Sequence, residues 1–170
     1  GPMVSGSDKP VAAYRPCVGV MLINPRGGVF VGNRRDTAGN AWQMPQGGID
    51  LGERPLEAAR RELWEETGVR RARILAESRD WHRYDFPPGL ASRLWDGRFR
   101  GQIQKWVVMA FDGTDREINL TAHEPEFDRW CWVAFDALPT LAVPFKRATY
   151  RALVSEFGHL AGGFERADSR

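Results

Sequence analysis

Short apolar runs bounded by turn residues dominate the chain. Val18–Ile23 (VGVMLI), Val29–Asn33 and Ile103–Phe111 (IQKWVVMAF) read as strands, as do the shorter Trp42–Met44, Ala72–Ser78 and Trp130–Val133. Asn24-Pro25-Arg26-Gly27-Gly28 is the turn joining the first two. Twice the period becomes helical. Pro55 suits the first turn of a helix and Gly68 a left-handed C-terminal cap, with Leu56, Ala59 and Leu63 on one stripe for burial. Pro144 opens a second helix in which Leu153, Phe157 and Leu160 recur at i, i+4, i+7. Trp81 to Phe99 is aromatic-rich and irregular. The order predicts a β-rich mixed sheet with one helix mid-chain and another at the end, an α/β or α+β fold.

Composition narrows this only a little. A chain of 170 residues with 42% hydrophobic content and seven tryptophans can bury one substantial core. We expect a single domain over 13–162, a mobile tail over 1–12 and a short C-terminal tail over 163–170. Gly1-Pro2 ahead of Met3 resembles the scar of a cleaved tag. The net charge of +2, from 24 basic against 22 acidic residues, is too weak for a duplex-binding surface but suits a polyanionic substrate. No apolar run is long enough for a membrane span, and no secretory signal is expected. Cys17 and Cys131 lack metal-ligand spacing and predict buried thiols in a reduced, cytoplasmic setting. His82, His123 and His159 are dispersed, which argues against a structural zinc site.

The chemistry concentrates in Gly47–Val69, GGIDLGERPLEAARRELWEETGV. Glu62, Glu65 and Glu66 share one arc of the helix. Three carboxylates so close repel one another unless a cation sits among them. Hard oxygen ligands suit Mg²⁺ or Mn²⁺, which also bridge phosphate oxygens. The preceding Gln46-Gly47-Gly48-Ile49-Asp50-Leu51-Gly52 reads as a loop whose three glycines let backbone approach a ligand. Taken alone, RRELWEE would be a solvated helix face. Glu53 and the glycines at fixed spacing reverse that reading.

The spacing G-x5-E-x7-R-E-U-x-E-E-x-G-U, with U aliphatic, is filled at every position and resembles the Nudix box. The resemblance implies a Nudix fold, a mixed sheet sandwiched between helices, and hydrolysis of a nucleoside diphosphate linked to another group. It implies Glu62, Glu66 and the Gln46 carbonyl as ligands of Mg²⁺ (with Mn²⁺ or Zn²⁺ as alternatives), more than one ion being expected, and Glu65 as a further ligand or a catalytic group that orients the water. Arg61 and Glu53 would tie loop to helix. The flanking Tyr14-Arg15-Pro16, Trp42-Gln43-Met44-Pro45, Gly101-Gln102-Ile103-Gln104-Lys105-Trp106, Pro125-Glu126-Phe127 and Val143-Pro144-Phe145-Lys146-Arg147 are similar to the bacterial RNA pyrophosphohydrolases, also called (di)nucleoside polyphosphate hydrolases. That group implies pyrophosphate removal from single-stranded 5′-triphosphorylated RNA, or cleavage of dinucleoside polyphosphates. A nucleotide-binding module without activity is the remaining alternative, disfavoured by the complete set of glutamates. On the same basis Glu126 is a candidate base or metal ligand. Arg34, Arg35, Lys105, Tyr84 and Lys146 are candidates for phosphate or nucleotide contact, and Arg15 and Phe145 for sandwiching a base. Arg93 to Arg100, around Trp95-Asp96-Gly97, has no assigned place and reads as a surface loop.

Overall fold

In the computed structural model, residues 13–37 and 39–166 are described; the expected tail over 1–12 and the last four residues of the expected C-terminal tail lie outside them. Eight strands form one sheet: β1 (Ala13–Ile23), β2 (Val29–Arg34), β3 (Trp42–Gln43), β4 (Gln46–Gly48), β5 (Arg73–Glu77), β6 (His82–Asp85), β7 (Phe99–Ala110) and β8 (Phe127–Val133). The main path runs β3-β2-β1-β7-β5, with β4 beside β1, β6 beside β7 and β8 beside β2. Among the described residues, only β1 and β7 pair in parallel, register-matched from Tyr14/Gly101 to Ile23/Ala110. The other pairs are antiparallel, so the sheet is mixed.

Alternation along β1 and β7 feeds two cores. Val18, Val20, Leu22, Val107 and Met109 pack against Ala58, Ala59 and Leu63 of helix α1 (Pro55–Thr67). Met21, Ile23, Trp106 and Val108 meet Leu138 of α3 (Leu138–Leu141) and Tyr150, Leu153 and Phe157 of α4 (Arg147–Phe157). A short α2 (Leu90–Arg93) lies before β7. Pro55 does open α1, and Gly68 caps it at φ 74° with its N–H bonded to the Trp64 carbonyl.

Three expectations need correction. Leu56 is 36% exposed in the first turn of α1, and the buried face begins two residues later with Ala58 and Ala59. The glycine stretch is not all loop, because Gln46–Gly48 pairs with Gly19, Val18 and Cys17 as a strand. Trp81–Phe99 is not irregular throughout, since β6 and α2 lie within it.

Candidate active site

Strand β4 and helix α1 bring the glycine loop against the acidic arc. A Cβ on Gly47 would lie 2.0 Å from the Glu62 carboxyl carbon, so the carboxylate keeps this position only beside a glycine. Arg61 organises the junction. Its guanidinium donates to both oxygens of Glu53 (2.8 and 2.9 Å), to the Gly48 carbonyl (2.8 Å) and to Glu62 Oε2 (2.7 Å). Glu65 is farther from it, at 3.4 Å. Arg61 holds the Glu53 carboxyl below its ordinary pKa. Glu53 also accepts the Asp50 N–H at 2.9 Å, closing the loop on itself.

The carboxylates facing the sheet are stressed in the opposite sense. Glu62 is 8% exposed, and burial outweighs Arg61 to push its pKa up to about 7. Glu66, 3% exposed, is raised well above the ordinary value by burial and by the charges of Glu126 and Glu62. Its Oε1 accepts the Gln46 N–H at 3.3 Å, while its buried Oε2 has no hydrogen-bond partner. Glu126, just before β8, is therefore near both buried glutamates although it comes from a distant segment. Buried, mutually repelling hard-oxygen donors, one of them orphaned, fit a divalent cation. Among the described residues no three acidic, histidine or cysteine side chains are drawn together closely enough to form a cage by themselves. Arg61 instead engages Glu62 and, more weakly, Glu65.

A cleft of about 1040 Å³ opens from this acidic end. Gln46, Glu62, Glu65 and Glu126 line it, together with Arg34, Arg35, Lys146, Arg15, Tyr84 and Phe145. Arg34 is held by a two-point pair with Asp36, at 2.9 and 2.6 Å. Arg35 is exposed and donates its backbone N–H to the Glu126 carbonyl at 3.0 Å. Lys146 is buried, with Nζ 3.0 Å from Gln43 Oε1; burial and Arg34 push its pKa down to about 8. Tyr84 is buried and accepts from Gln102. Its ring, with that of Phe86, packs on Phe145.

Arg15 and Phe145 share the cleft, but Arg15 is placed over Trp95, 4.3 Å from the ring centroid, and donates to Gln102 Oε1 at 2.8 Å. Lys105 lies elsewhere. Gln102 is the residue of β7 that lines the cleft, whereas Lys105 does not; an odd number of positions farther along the strand, Lys105 points to the opposite face, with its Nζ 3.4 Å from the Arg79 carbonyl and near Trp81. The sequence reading missed Gln102, which orients Arg15, and the wall made by Phe86, Leu90, Arg93, Leu94 and Trp95. The aromatic run of that segment was visible, but nothing local showed that it folds back over the sheet.

Sheet, box and cleft together define a phosphoanhydride hydrolase. The NUDIX domain matches residues 13–153, and the chain belongs to this family of hydrolases. Its members generally use divalent metal ions. The chain is 54% identical over 146 residues to an RNA pyrophosphohydrolase of Roseobacter denitrificans, spanning 85% of this chain and 91% of the relative. It is 57% identical over 151 residues to one of Novosphingobium aromaticivorans, spanning 86% and 94%. Among solved structures, the E. coli dihydroneopterin triphosphate pyrophosphohydrolase shares the fold with a TM-score of 0.67 at 20% identity, covering 85% of this chain and 99% of that one. A C. elegans Ap4A hydrolase does so with a TM-score of 0.59 at 15% identity, covering 84% and 98%. No helix among the described residues is long and apolar enough to cross a membrane.

Proposed function

We propose that this chain removes pyrophosphate from the 5′-triphosphate end of single-stranded RNA in the cytoplasm, leaving a 5′-monophosphate end that favours RNA decay. The reading rests on one juxtaposition: Glu62, Glu65 and Glu126 share a cleft with Arg34, Arg35 and Lys146 and with an aromatic wall. It is supported by relatives of that name that align over more than nine-tenths of their own length.

Glu62, Glu65, Glu66, Glu126 and the Gln46 carbonyl would hold Mg²⁺, or Mn²⁺ or Zn²⁺ in its place. Such ions, when bound, acidify water and neutralise phosphate oxygens. Arg34 and Arg35 would grip the leaving phosphates, and Lys146 would add a point charge beside them. Glu126 would take the proton from the attacking water or complete a metal site. Arg61 and Glu53 would hold the glycine strand and the acidic helix in register. Arg15, Tyr84 and Phe145 would receive the base. Water breaks the anhydride between the α- and β-phosphates, so pyrophosphate and a 5′-monophosphate end are the products.

The test is to incubate the protein with Mg²⁺ and 5′-triphosphorylated RNA, and separately with diadenosine tetraphosphate. Pyrophosphate release from the RNA, lost by at least about 10³-fold in Glu62→Gln or Glu66→Gln, is the expected result. Cleavage of the dinucleotide alone would make this a dinucleoside polyphosphate hydrolase. Tight binding of either substrate without cleavage would make it a binding module.

A further inference from the structure

Two chains of side-chain hydrogen bonds converge on the Tyr84 oxygen, and each begins at a group that can only donate. In the first, the Trp106 indole N–H donates to Gln104 Oε1 at 3.2 Å, and Gln104 Nε2 donates to Gln46 Oε1 at 3.1 Å. In the second, the Arg15 guanidinium donates to Gln102 Oε1 at 2.8 Å, and Gln102 Nε2 donates to the Tyr84 hydroxyl oxygen. An indole and a guanidinium offer no acceptor, so neither chain can run in reverse. An amide turned the other way would set N–H against N–H.

Gln46 brings the first chain to the same phenol. Its side chain is hydrogen-bonded to Tyr84 and favours the phenolate, as a donor to that oxygen does. The Tyr84 oxygen thus receives two N–H groups, and its accepting capacity is filled. Burial pushes its pKa up to about 12, so the proton stays on through the neutral range. No hydrogen bond donated by Tyr84 is found among the described residues. What this hydroxyl can offer the cleft it lines is a donor.

The first chain is anchored deep in the molecule. Gln104 and Trp106 are fully buried and do not line the cleft. A Cβ on Gly19 would lie 2.5 Å from the indole, and Tyr150 meets that ring edge-on, so the N–H is held in one direction.

Building on the reaction proposed above, we propose that Trp106 and Gln104 are positioning residues: from behind the cleft they fix the Tyr84 hydroxyl as a donor to the phosphate that carries the terminal nucleoside. A phosphate oxygen only accepts, and Lys146, with Nζ 5.9 Å from the Tyr84 ring centroid, supplies positive charge beside it. The ring itself stays against Phe145 on the side of the base. With the chain reversed, Tyr84 would donate to Gln46 and turn its lone pairs on the anion.

The test is a double-mutant cycle on 5′-triphosphorylated single-stranded RNA. Tyr84→Phe should raise KM about tenfold with kcat little changed, the loss of one hydrogen bond to a charged group. Trp106→Phe and Gln104→Met free Gln46 to turn over, and each should raise KM about three- to tenfold. Neither should add to the loss in Tyr84→Phe, because both act through that hydroxyl. Losses that multiply would reduce Trp106 and Gln104 to packing. The tyrosine doublet of the Raman spectrum, whose intensity ratio separates a donating from an accepting phenol, reads the same point without catalysis. The chain has three tyrosines, so the difference between wild type and Tyr84→Phe isolates this one. In metal-free wild type, adding the RNA should move the ratio toward the donor side. In Trp106→Phe the ratio should stand nearer that side before RNA is added, and Gln104→Met repeats the reading should Trp106→Phe not fold. The same ratio in wild type and variant, or a wild type indifferent to RNA, would overturn the positioning role while leaving the proposed reaction standing. A wild type that shows the shift yet releases no pyrophosphate would overturn the reaction and keep the positioning role.

Discussion

Glu62 shows at the scale of one residue what the site requires. Its pKa of about 7 in the metal-free protein stands above the ordinary 4.5 because burial penalises the charged form more than Arg61 supports it. The folded state therefore holds a proton that the unfolded chain releases. The resulting stabilisation is full below about pH 4.5 and is lost as pH rises through 7. The melting temperature of metal-free wild type should accordingly fall between pH 5 and 8 relative to Glu62→Gln, which cannot ionise there. Adding Mg²⁺ at pH 8 should raise the wild type and not the variant. Parallel pH profiles for the two proteins would remove the buried charge from this account. Gly47 supplies the complementary prediction. The methyl of Gly47→Ala would displace the far end of a flexible carboxylate, so the fold should survive. Activity should drop about a hundredfold, as expected for a misplacement of about 1 Å, with a matching loss of metal affinity in a titration.

Between elements, Arg61 is the joint: one guanidinium serves the loop through Glu53, the glycine strand through the Gly48 carbonyl, and its own helix through Glu62. Lysine brings the charge as a point and lacks the planar fork, so it cannot meet all three at once. Arg61→Lys should cost about 1–2 kcal/mol in urea denaturation and lower kcat/KM at least tenfold at saturating Mg²⁺. Wild-type values in both assays would show that the joint is dispensable. Much of this junction could be read from the chain, because it is local: Pro55, Gly68 and the glutamate spacing act within a few turns. Strand cores such as Val18–Ile23 and Ile103–Phe111 were legible for the same reason, as apolar runs. What escaped depends on distant partners. Leu56 fits the helical stripe but stays exposed in the first turn of α1, and Lys105 fits the family pattern but does not line the cleft. Trp95 looks like a loop residue until Phe86, Phe99 and Arg15 surround it.

Across the whole molecule, the two faces of the sheet divide the work and must stay aligned. The α1 face carries the acidic arc, while α4, on the opposite core, follows directly on Phe145 and Lys146 at the other side of the cleft. What aligns them is β3 and the link after it, where Lys146 donates to Gln43 at the end of β3 at 3.0 Å and the Tyr150 hydroxyl of α4 accepts the Met44 N–H at 2.8 Å. Tyr150 and Met44 are fully buried, so water cannot replace the lost partner in Tyr150→Phe. The ring's edge contact with Trp106, at 5.9 Å, would remain, leaving packing nearly unchanged. The variant should lose about 1–3 kcal/mol, the cost of an unsatisfied buried donor, with an unchanged denaturant m-value. Freed from α4, the Gln43–Met44 segment would also hold Lys146 less well, so KM for triphosphorylated RNA should rise several-fold at temperatures where the variant is fully folded. A variant that is less stable but kinetically normal would show that the alignment of the two faces matters for folding alone; one unchanged in both respects would show that this hydrogen bond does not couple them.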